Sequence, residues 1–289
     1  MAVFDNKVRL AKDSENLVRV QELSLMMLKD FIKFCDENDI NYVVAYGTTL
    51  GAIRHEGFIP WDDDIDLMML RKDYNKFLKI KDKFNSKKYE VFTMENTDNL
   101  YKLFAKISLN GTRTYDFWHN NTDFTMGLSI DIFILDDIPK NNFQKKIFLK
   151  RRAFHRKLAD ILEVTNSDMY ISKNKEKIGR ILKKFLDLFH INQNFLINQN
   201  KRLRKEKKDA TEVCDLAYDF VFPKNIFENP IKKKFEDIEV KIPSDWDNYL
   251  RIVFGDYMEL PPENERIVHV HEIDFGPYEK SLNSMQSKL

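Results

Sequence analysis

Residues 46–69 read YGTTLGAIRHEGFIPWDDDIDLMM, and this stretch carries most of what the sequence indicates about fold and chemistry. Four carboxylates fall within five positions at the start of an apolar run: Asp62, Asp63, Asp64 and Asp66. Because strand side chains alternate between faces, we expect Asp62, Asp64 and Asp66 to point one way and Asp63 the other. Like charges this close repel unless a cation lies between them, and Mg²⁺ or Mn²⁺ prefers carboxylate oxygens. The stretch therefore predicts a divalent-metal site that handles phosphate, with a solvated acidic turn as the alternative.

The residues before the acids extend this prediction. Residues 42–46 have strand composition, and Gly47, Thr48 and Thr49 follow as a small-residue turn that leads into a helix. Backbone N–H groups at such a turn bind phosphate. We therefore expect these three residues to contact a nucleotide.

A later strand supplies a further acid. Residues 128–135 form an apolar run with one carboxylate, Asp131. A buried aspartate is costly unless it is paired or bound to a metal. We therefore expect Asp64, Asp66 and Asp131 to be the catalytic acids and metal ligands, with Asp62 as a further ligand. Asp131 would either complete the metal shell or accept the proton of an acceptor hydroxyl.

Several basic side chains are candidates for contacts with phosphate. Arg54 and His55 lie between the glycine motif and the acids, and surface positions are the alternative for both. Lys106 lies in a strand-like apolar setting, either as an edge-strand charge or as a phosphate-binding cation that faces the acids. Arg113 is a weaker candidate for the same role.

The order of a small-residue turn, acids at alternate strand positions and an acid on a later strand resembles the nucleotidyltransferase fold. The fuller string from Gly47 to Asp66 resembles the LicD family. Two later blocks resemble that family in the same order, DIFILD at residues 131–136 and YLRIVFGDYMELPP at residues 249–262. The resemblance implies an α+β fold with a mixed β-sheet core flanked by helices. It also implies substrate-binding roles for Lys106 and for His269 and His271, which follow the last block.

The LicD family includes bacterial phosphocholine transferases and is related to fukutin-type ribitol-phosphate transferases. The resemblance implies a metal-dependent transferase that moves a phospho-alcohol group from a CDP-alcohol to a sugar hydroxyl and releases CMP. The donor would be CDP-choline, CDP-glycerol or CDP-ribitol. The acceptor would be a sugar or lipid-linked glycan, such as a teichoic acid, capsule or lipopolysaccharide precursor. Two alternatives remain open: an NTP-dependent nucleotidyltransferase that acts on a small molecule or protein, and a non-catalytic glycan-binding protein of the same fold.

Composition is consistent with a protein that works in the cytoplasm or at the inner face of the membrane. The 289 residues include no run of about eighteen apolar side chains, and the N-terminus lacks the apolar core of a secretory signal. Cys35 and Cys214 are widely separated, which favours reduced thiols and disfavours a cysteine-based zinc site.

Charge divides the chain unevenly. Between residues 140 and 208 there are twenty Lys or Arg against six Asp or Glu, whereas the whole chain has a net charge of +1. This segment has helical periodicity and predicts a basic helical insertion, either an ordinary solvated hairpin or a surface for an anionic membrane. Nucleic-acid binding is disfavoured because no recognised motif is present. We therefore divide the chain into a catalytic core (1–139), the insertion (140–210), a C-terminal part that packs on the core (211–278) and a disordered tail (279–289).

Overall fold

The computed structural model describes residues 8–9, 14–84, 87–115, 126–166, 181–182, 184–204, 207, 209–266, 268 and 272–279. In chain order, the elements before the insertion are β1 (Val8–Arg9), α1 (Glu15–Glu37), β2 (Val43–Val44), α2 (Tyr46–Arg54), β3 (Asp66–Leu70), α3 (Arg71–Phe84), β4 (Tyr89–Phe92), β5 (Ala105–Leu109), β6 (Arg113–Tyr115) and β7 (Ser129–Asp137). The later elements are α4 (Asn142–Asn166), α5 (Gln193–Leu203), β8 (Glu212–Asp215), β9 (Val221–Pro223), α6 (Asn225–Glu228), β10 (Ile231–Phe235), β11 (Ile238–Ile242), α7 (Trp246–Phe254) and β12 (Glu272–Asp274).

A mixed seven-stranded sheet forms the centre of the molecule. Its main path runs β2-β3-β7-β5-β4, and β8 pairs with β7 and with β9. The central strand β7 runs parallel to β3 and antiparallel to β5 and β8. Together with the helices, this sheet makes the fold α+β, which confirms the prediction from the sequence.

Side chains alternate between two cores, one on each face of this sheet. Leu67 and Met69 of β3 and Ile132 of β7 belong to the core that α1 and α3 cover. Met68 of β3 and Phe133 of β7 belong to a second core, built with residues of α2, α7 and β9. Because the strands alternate strictly, Asp66 has the same parity as Met68, and Asp131 the same as Phe133. Both acids therefore belong to the face that α2 and α7 cover.

Local sequence signals explain where α1 begins and where α7 ends. The α1 helix begins after Ser14, whose hydroxyl accepts a hydrogen bond from the backbone N–H of Leu17 at 3.2 Å. Apolar residues of α1 are buried against the sheet, among them Val20, Met27 and Phe31. The α7 helix ends before Gly255, whose φ of +70° and ψ of −117° form a conformation that glycine adopts more readily than other residues.

The C-terminal part does more than pack on the core. The strands β8 and β9 extend the central sheet, and β12 pairs with β1 and β6 in a separate three-stranded sheet. Of the predicted disordered tail, 279–289, only Glu279 falls within the described ranges.

The described part of the basic insertion is helical, as predicted, and a buried ionic group joins it to the sheet. Asp136 of β7 accepts a hydrogen bond from Arg71 Nε at 2.6 Å and forms an ion pair with Arg152 of α4. All three side chains are buried. Burial lowers the pKa of Arg152 to about 9, and the neighbouring charge of Arg71 adds to this effect. Among the described residues, no helix combines the length and apolar character needed to cross a bilayer.

The adjacent residues Arg151 and Arg152 provide a matched test of this buried group, because Arg151 is exposed and Arg152 is buried. Replacing Arg152 with Ala leaves Asp136 with one cationic partner and should lower the free energy of unfolding by about 3–5 kcal/mol. Arg151→Ala should change it by no more than about 0.5 kcal/mol. Urea unfolding followed by circular dichroism measures both. Equal effects of the two substitutions would contradict this account.

Candidate active site

The predicted small-residue turn is in fact the first turn of α2, which begins at Tyr46. The two threonine hydroxyls are buried and bond to neighbouring strands: Asp66 N–H donates to Thr48 Oγ1 at 2.9 Å, and Thr49 Oγ1 donates to the Val44 carbonyl at 2.6 Å. Neither threonine is among the residues that line the cavity described below. They fix α2 against β2 and β3 instead.

A cavity of about 910 Å³ opens beside α2 on the face that carries Asp66 and Asp131. Its wall includes four aspartates, one arginine and the first glycine of α2: Asp62, Asp64, Asp66, Asp131, Arg54 and Gly47. Asp63 does not line the cavity and is buried elsewhere, which matches the alternation expected from the sequence. Residues 62–65 precede β3, and only Asp66 belongs to the strand itself.

Strand register brings three of the predicted charges into one row. Asp66 of β3 lies opposite Asp131 of β7, and Asp131 lies opposite Lys106 of β5. Lys106 Nζ donates to both oxygens of Asp131, at 2.6 and 2.8 Å. Of the two alternatives for Lys106, this geometry matches a cation that faces the acids, and its immediate partner is a carboxylate.

The cavity is strongly acidic where these aspartates meet. Burial is the largest of the causes that raise the pKa of Asp66 well above its ordinary value. The negative charges of Asp64, Asp131 and Asp62 raise this pKa further, whereas Lys106 opposes them. A bound cation would relieve the repulsion that these carboxylates exert on one another.

Two observations bear on whether a divalent ion fits this site. The donors are carboxylate oxygens, which suit Mg²⁺ or Mn²⁺, and Gly47 leaves room for one of them. A Cβ added at Gly47 would lie 2.8 Å from Asp62 Oδ2, so only glycine permits this approach. As placed, no three His, Cys, Asp or Glu side chains among the described residues form a group that could hold a metal ion. A bound ion would therefore require the aspartate side chains to rotate toward one another.

The remaining predicted residues take different positions. Arg54 Nη1 donates to the Tyr257 carbonyl at 3.0 Å, and Arg54 Nε donates to His55 Nε2 at 3.0 Å. Burial and then the Arg54 charge lower the pKa of His55, which suits its role as a neutral acceptor. Arg113 lies in β6 with its guanidinium 4.9 Å from the centre of the Tyr115 ring, and it does not line this cavity. The predicted His269 and His271 lie outside the described residues.

Aromatic side chains complete the wall of the cavity, and the sequence pattern did not identify them. They are Tyr46, Trp61, Phe133, Tyr218, Phe220, Phe254 and Tyr257. Phe254 and Tyr257 fall within the block at residues 249–262. The family resemblance therefore pointed to this part of the cavity wall. Tyr218 and Phe220 follow the insertion and had no such signal. Three further acids line the cavity in the C-terminal part: Asp256, Glu259 and Glu265.

Asp215 orders two of these aromatic residues from behind the wall. It accepts hydrogen bonds from the Tyr46 hydroxyl at 2.6 Å and from the Tyr218 backbone N–H at 2.9 Å. Burial raises the pKa of Asp215 to about 6, although these hydrogen bonds oppose the shift. Tyr46 has a φ of +40°, which is an uncommon conformation for a non-glycine residue. The backbone N–H of Tyr46 donates a hydrogen bond to Tyr249 Oη at 2.9 Å. The surrounding contacts thus hold a strained residue at the edge of the cavity.

A mixed sheet that brings acids of neighbouring strands to one cavity beside a glycine-containing helix start defines a nucleotidyltransferase-like domain. Residues 39–165 match the family model described as LicD/FKTN/FKRP, nucleotidyltransferase domain. The resemblance found in the sequence is confirmed, and the chain carries a LicD-family domain.

Similar proteins are found in several bacteria. The lipopolysaccharide cholinephosphotransferase LicD of Haemophilus influenzae is 28% identical over 269 residues, covering 87% of this chain and 95% of that protein. An uncharacterized protein of Rickettsia typhi is 37% identical over 92 residues, or 32% of this chain and 28% of that protein. One of Rickettsia prowazekii is 36% identical over 76 residues, or 26% of this chain and 28% of that protein.

Two glycines of α2 provide a matched test of the site. Gly47→Ala would displace the Asp62 carboxylate, a flexible group, so we expect unchanged thermal stability but Mn²⁺ affinity weakened on the order of tenfold. Gly51→Ala would place a Cβ 2.4 Å from the Gly57 carbonyl oxygen, which is backbone, and should lower stability by about 1–3 kcal/mol. Differential scanning calorimetry and titration calorimetry with Mn²⁺ measure these effects. A folded Gly47→Ala protein with unaltered Mn²⁺ affinity would remove Asp62 from the proposed ligand set.

Proposed function

We propose that this chain is a metal-dependent phosphocholine transferase that uses CDP-choline, modifies a sugar hydroxyl of a cell-surface glycan precursor and releases CMP. The observation that carries the proposal is the cavity in which Asp62, Asp64, Asp66 and Asp131 meet an aromatic wall. Support comes from similarity, over most of both chains, to a protein named for cholinephosphotransfer to lipopolysaccharide. By the same similarity we propose a lipopolysaccharide-type glycan, rather than a teichoic acid or capsule precursor, as the acceptor.

The lining of the cavity favours choline over glycerol or ribitol as the transferred alcohol. Aromatic faces attract a quaternary ammonium, and tryptophan and tyrosine do so most strongly. Trp61, Tyr218 and Tyr257 line the cavity together with the carboxylates of Asp256 and Glu259, which add negative charge. A neutral polyol lacks the positive charge that the aromatic faces and the carboxylates both attract.

The reaction joins the acceptor oxygen to the distal phosphorus of the donor and breaks the bond from that phosphorus to the CMP oxygen. A divalent ion held by Asp64, Asp66 and Asp62 would supply charge neutralisation for the diphosphate and the departing CMP. Asp131 would accept the proton of the acceptor hydroxyl, and its two hydrogen bonds from Lys106 would fix its orientation. Arg54, which lines the same cavity, would contact a phosphate oxygen.

Product analysis tests the donor and the bond that breaks. We expect CMP release from CDP-choline with Mg²⁺ or Mn²⁺, slower release from CDP-glycerol and CDP-ribitol, and no turnover in EDTA. The assay includes a lipopolysaccharide-type acceptor and separates CMP, CTP and pyrophosphate by ion-exchange chromatography. Pyrophosphate release from an NTP would instead identify a conventional nucleotidyltransferase. Turnover in EDTA would contradict the proposed metal requirement, and binding of a glycan without any turnover would identify a non-catalytic protein.

Substitutions at three neighbouring aspartates, Asp63, Asp64 and Asp66, test which of them take part in catalysis. Asp64→Asn or Asp66→Asn removes a charge from the cavity, and we expect CMP release to fall at least about 1,000-fold while the protein stays folded. Asp63→Asn changes the same residue type on the opposite side, away from the cavity, and should retain turnover close to that of the unmodified protein. Initial rates, with circular dichroism spectra as the folding control, measure the difference. Full turnover by the Asp64 or Asp66 variant would overturn the catalytic assignment.

A further inference from the structure

One face of α4 carries large apolar and basic side chains in solvent. This surface, the α4 outer face, consists of Phe143, Lys146, Ile147, Lys150, Arg151, Phe154 and Lys157, all of them exposed. Phe143 is 72% exposed and Phe154 is 60% exposed, which is unusual for phenylalanine. The seven positions follow the spacing of a single helix face, and they span about 21 Å along the helix axis.

The charges of this face have one sign. The four cationic residues of the α4 outer face are interleaved with its three apolar residues, and the face contains no acid. None of these four cations forms an ion pair with another described residue, whereas Lys145 and Arg156, on other sides of the helix, pair with Glu212 and Asp219. The outer face therefore keeps its positive charge available to an external anionic partner.

A second exposed apolar cluster belongs to the same helical layer. Ile181, Phe185, Leu188 and Phe189 are exposed, and the rings of Phe185 and Phe189 lie 4.6 Å apart. Between them, Leu186 is buried in a core that it shares with Leu158 and Leu162 of α4. The cluster is therefore held by the same core as α4, with Lys184 exposed beside its apolar side chains.

We propose that the α4 outer face, together with the 181–189 cluster, docks peripherally on a bilayer that contains anionic lipids. Phenylalanine and isoleucine side chains enter the boundary between headgroups and acyl chains, and the interleaved cations contact anionic headgroups. The complementarity of charge selects this partner, because the face surrounds three apolar residues with four cations that have no ion-pair partner within the described ranges. The proposal is independent of the reaction proposed above.

Vesicle sedimentation tests the docking surface without donor, acceptor or divalent ion, so its outcome does not depend on the transferase activity. We expect binding to phosphatidylcholine vesicles that contain phosphatidylglycerol, and much weaker binding to pure phosphatidylcholine vesicles. Lys146→Gln with Lys150→Gln should weaken binding roughly 30-fold, since each cation near an anionic surface contributes about fivefold. Phe143→Ser with Phe154→Ser should weaken it by at least about tenfold. Added salt should weaken binding by the unmodified protein.

Matched controls lie on the catalytic core. Lys72→Gln with Lys79→Gln removes two exposed charges from α3, and Val18→Ser removes an exposed apolar group from α1, and both proteins should bind as the unmodified one does. Equal binding to both kinds of vesicle, or equal losses in the core controls, would overturn the proposal.

Two further outcomes would replace the bilayer with another partner. Retained binding in the phenylalanine variant, with an RNA oligonucleotide competing equally well, would indicate a general polyanion site. A dimer in sedimentation velocity that Phe143→Ser with Phe154→Ser dissociates would identify a second copy of the chain as the partner.

Discussion

The site depends on a row of charges across three neighbouring strands: Asp66 of β3, Asp131 of β7 and Lys106 of β5. The register of these strands is set by apolar side chains that fill a core on each face of the sheet. A slip of one residue in β7 would turn Asp131 into the α1 core and bring Ile132 to the cavity. The packing of the two hydrophobic cores therefore determines where Asp66, Asp131 and Lys106 lie.

This arrangement costs stability in the absence of a cation. Asp66 is buried among other carboxylates, and Lys106 is bonded to Asp131. The left-handed backbone of Tyr46 adds strain at the same edge of the cavity, on the order of 1–3 kcal/mol for such a residue. The repulsion among these carboxylates, with a strained residue beside them, indicates a binding site.

The sequence predicted those features that depend on contacts between residues close together in the chain. The helical periodicity of the basic segment and the acids on alternate sides before β3 are properties of short stretches, and the structure matches both. The turn at Gly47 was expected outside a helix, yet α2 begins at Tyr46 because Thr48 and Thr49 bond to β3 and β2. Tyr218 could not be predicted, since it reaches the cavity through Asp215, which bonds to Tyr46 169 positions away. Such contacts require the register of the sheet, which no single stretch encodes.

Strand β7 carries Asp131 of the site and also Asp136, which contacts the helical insertion. The strand therefore fixes the position of the insertion. Strand β7 presents Asp131 to the cavity and, five residues later, Asp136 to Arg152 of α4, about 16 Å along the strand. A buried ion pair adds little net stability compared with apolar packing, but it fixes the relative position of the groups that it joins. Arg152 therefore holds α4 at a set distance from Asp131. Its neighbour in the sequence, Arg151, faces solvent. Through this ion pair, the position of α4 is fixed relative to the strand that carries Asp131.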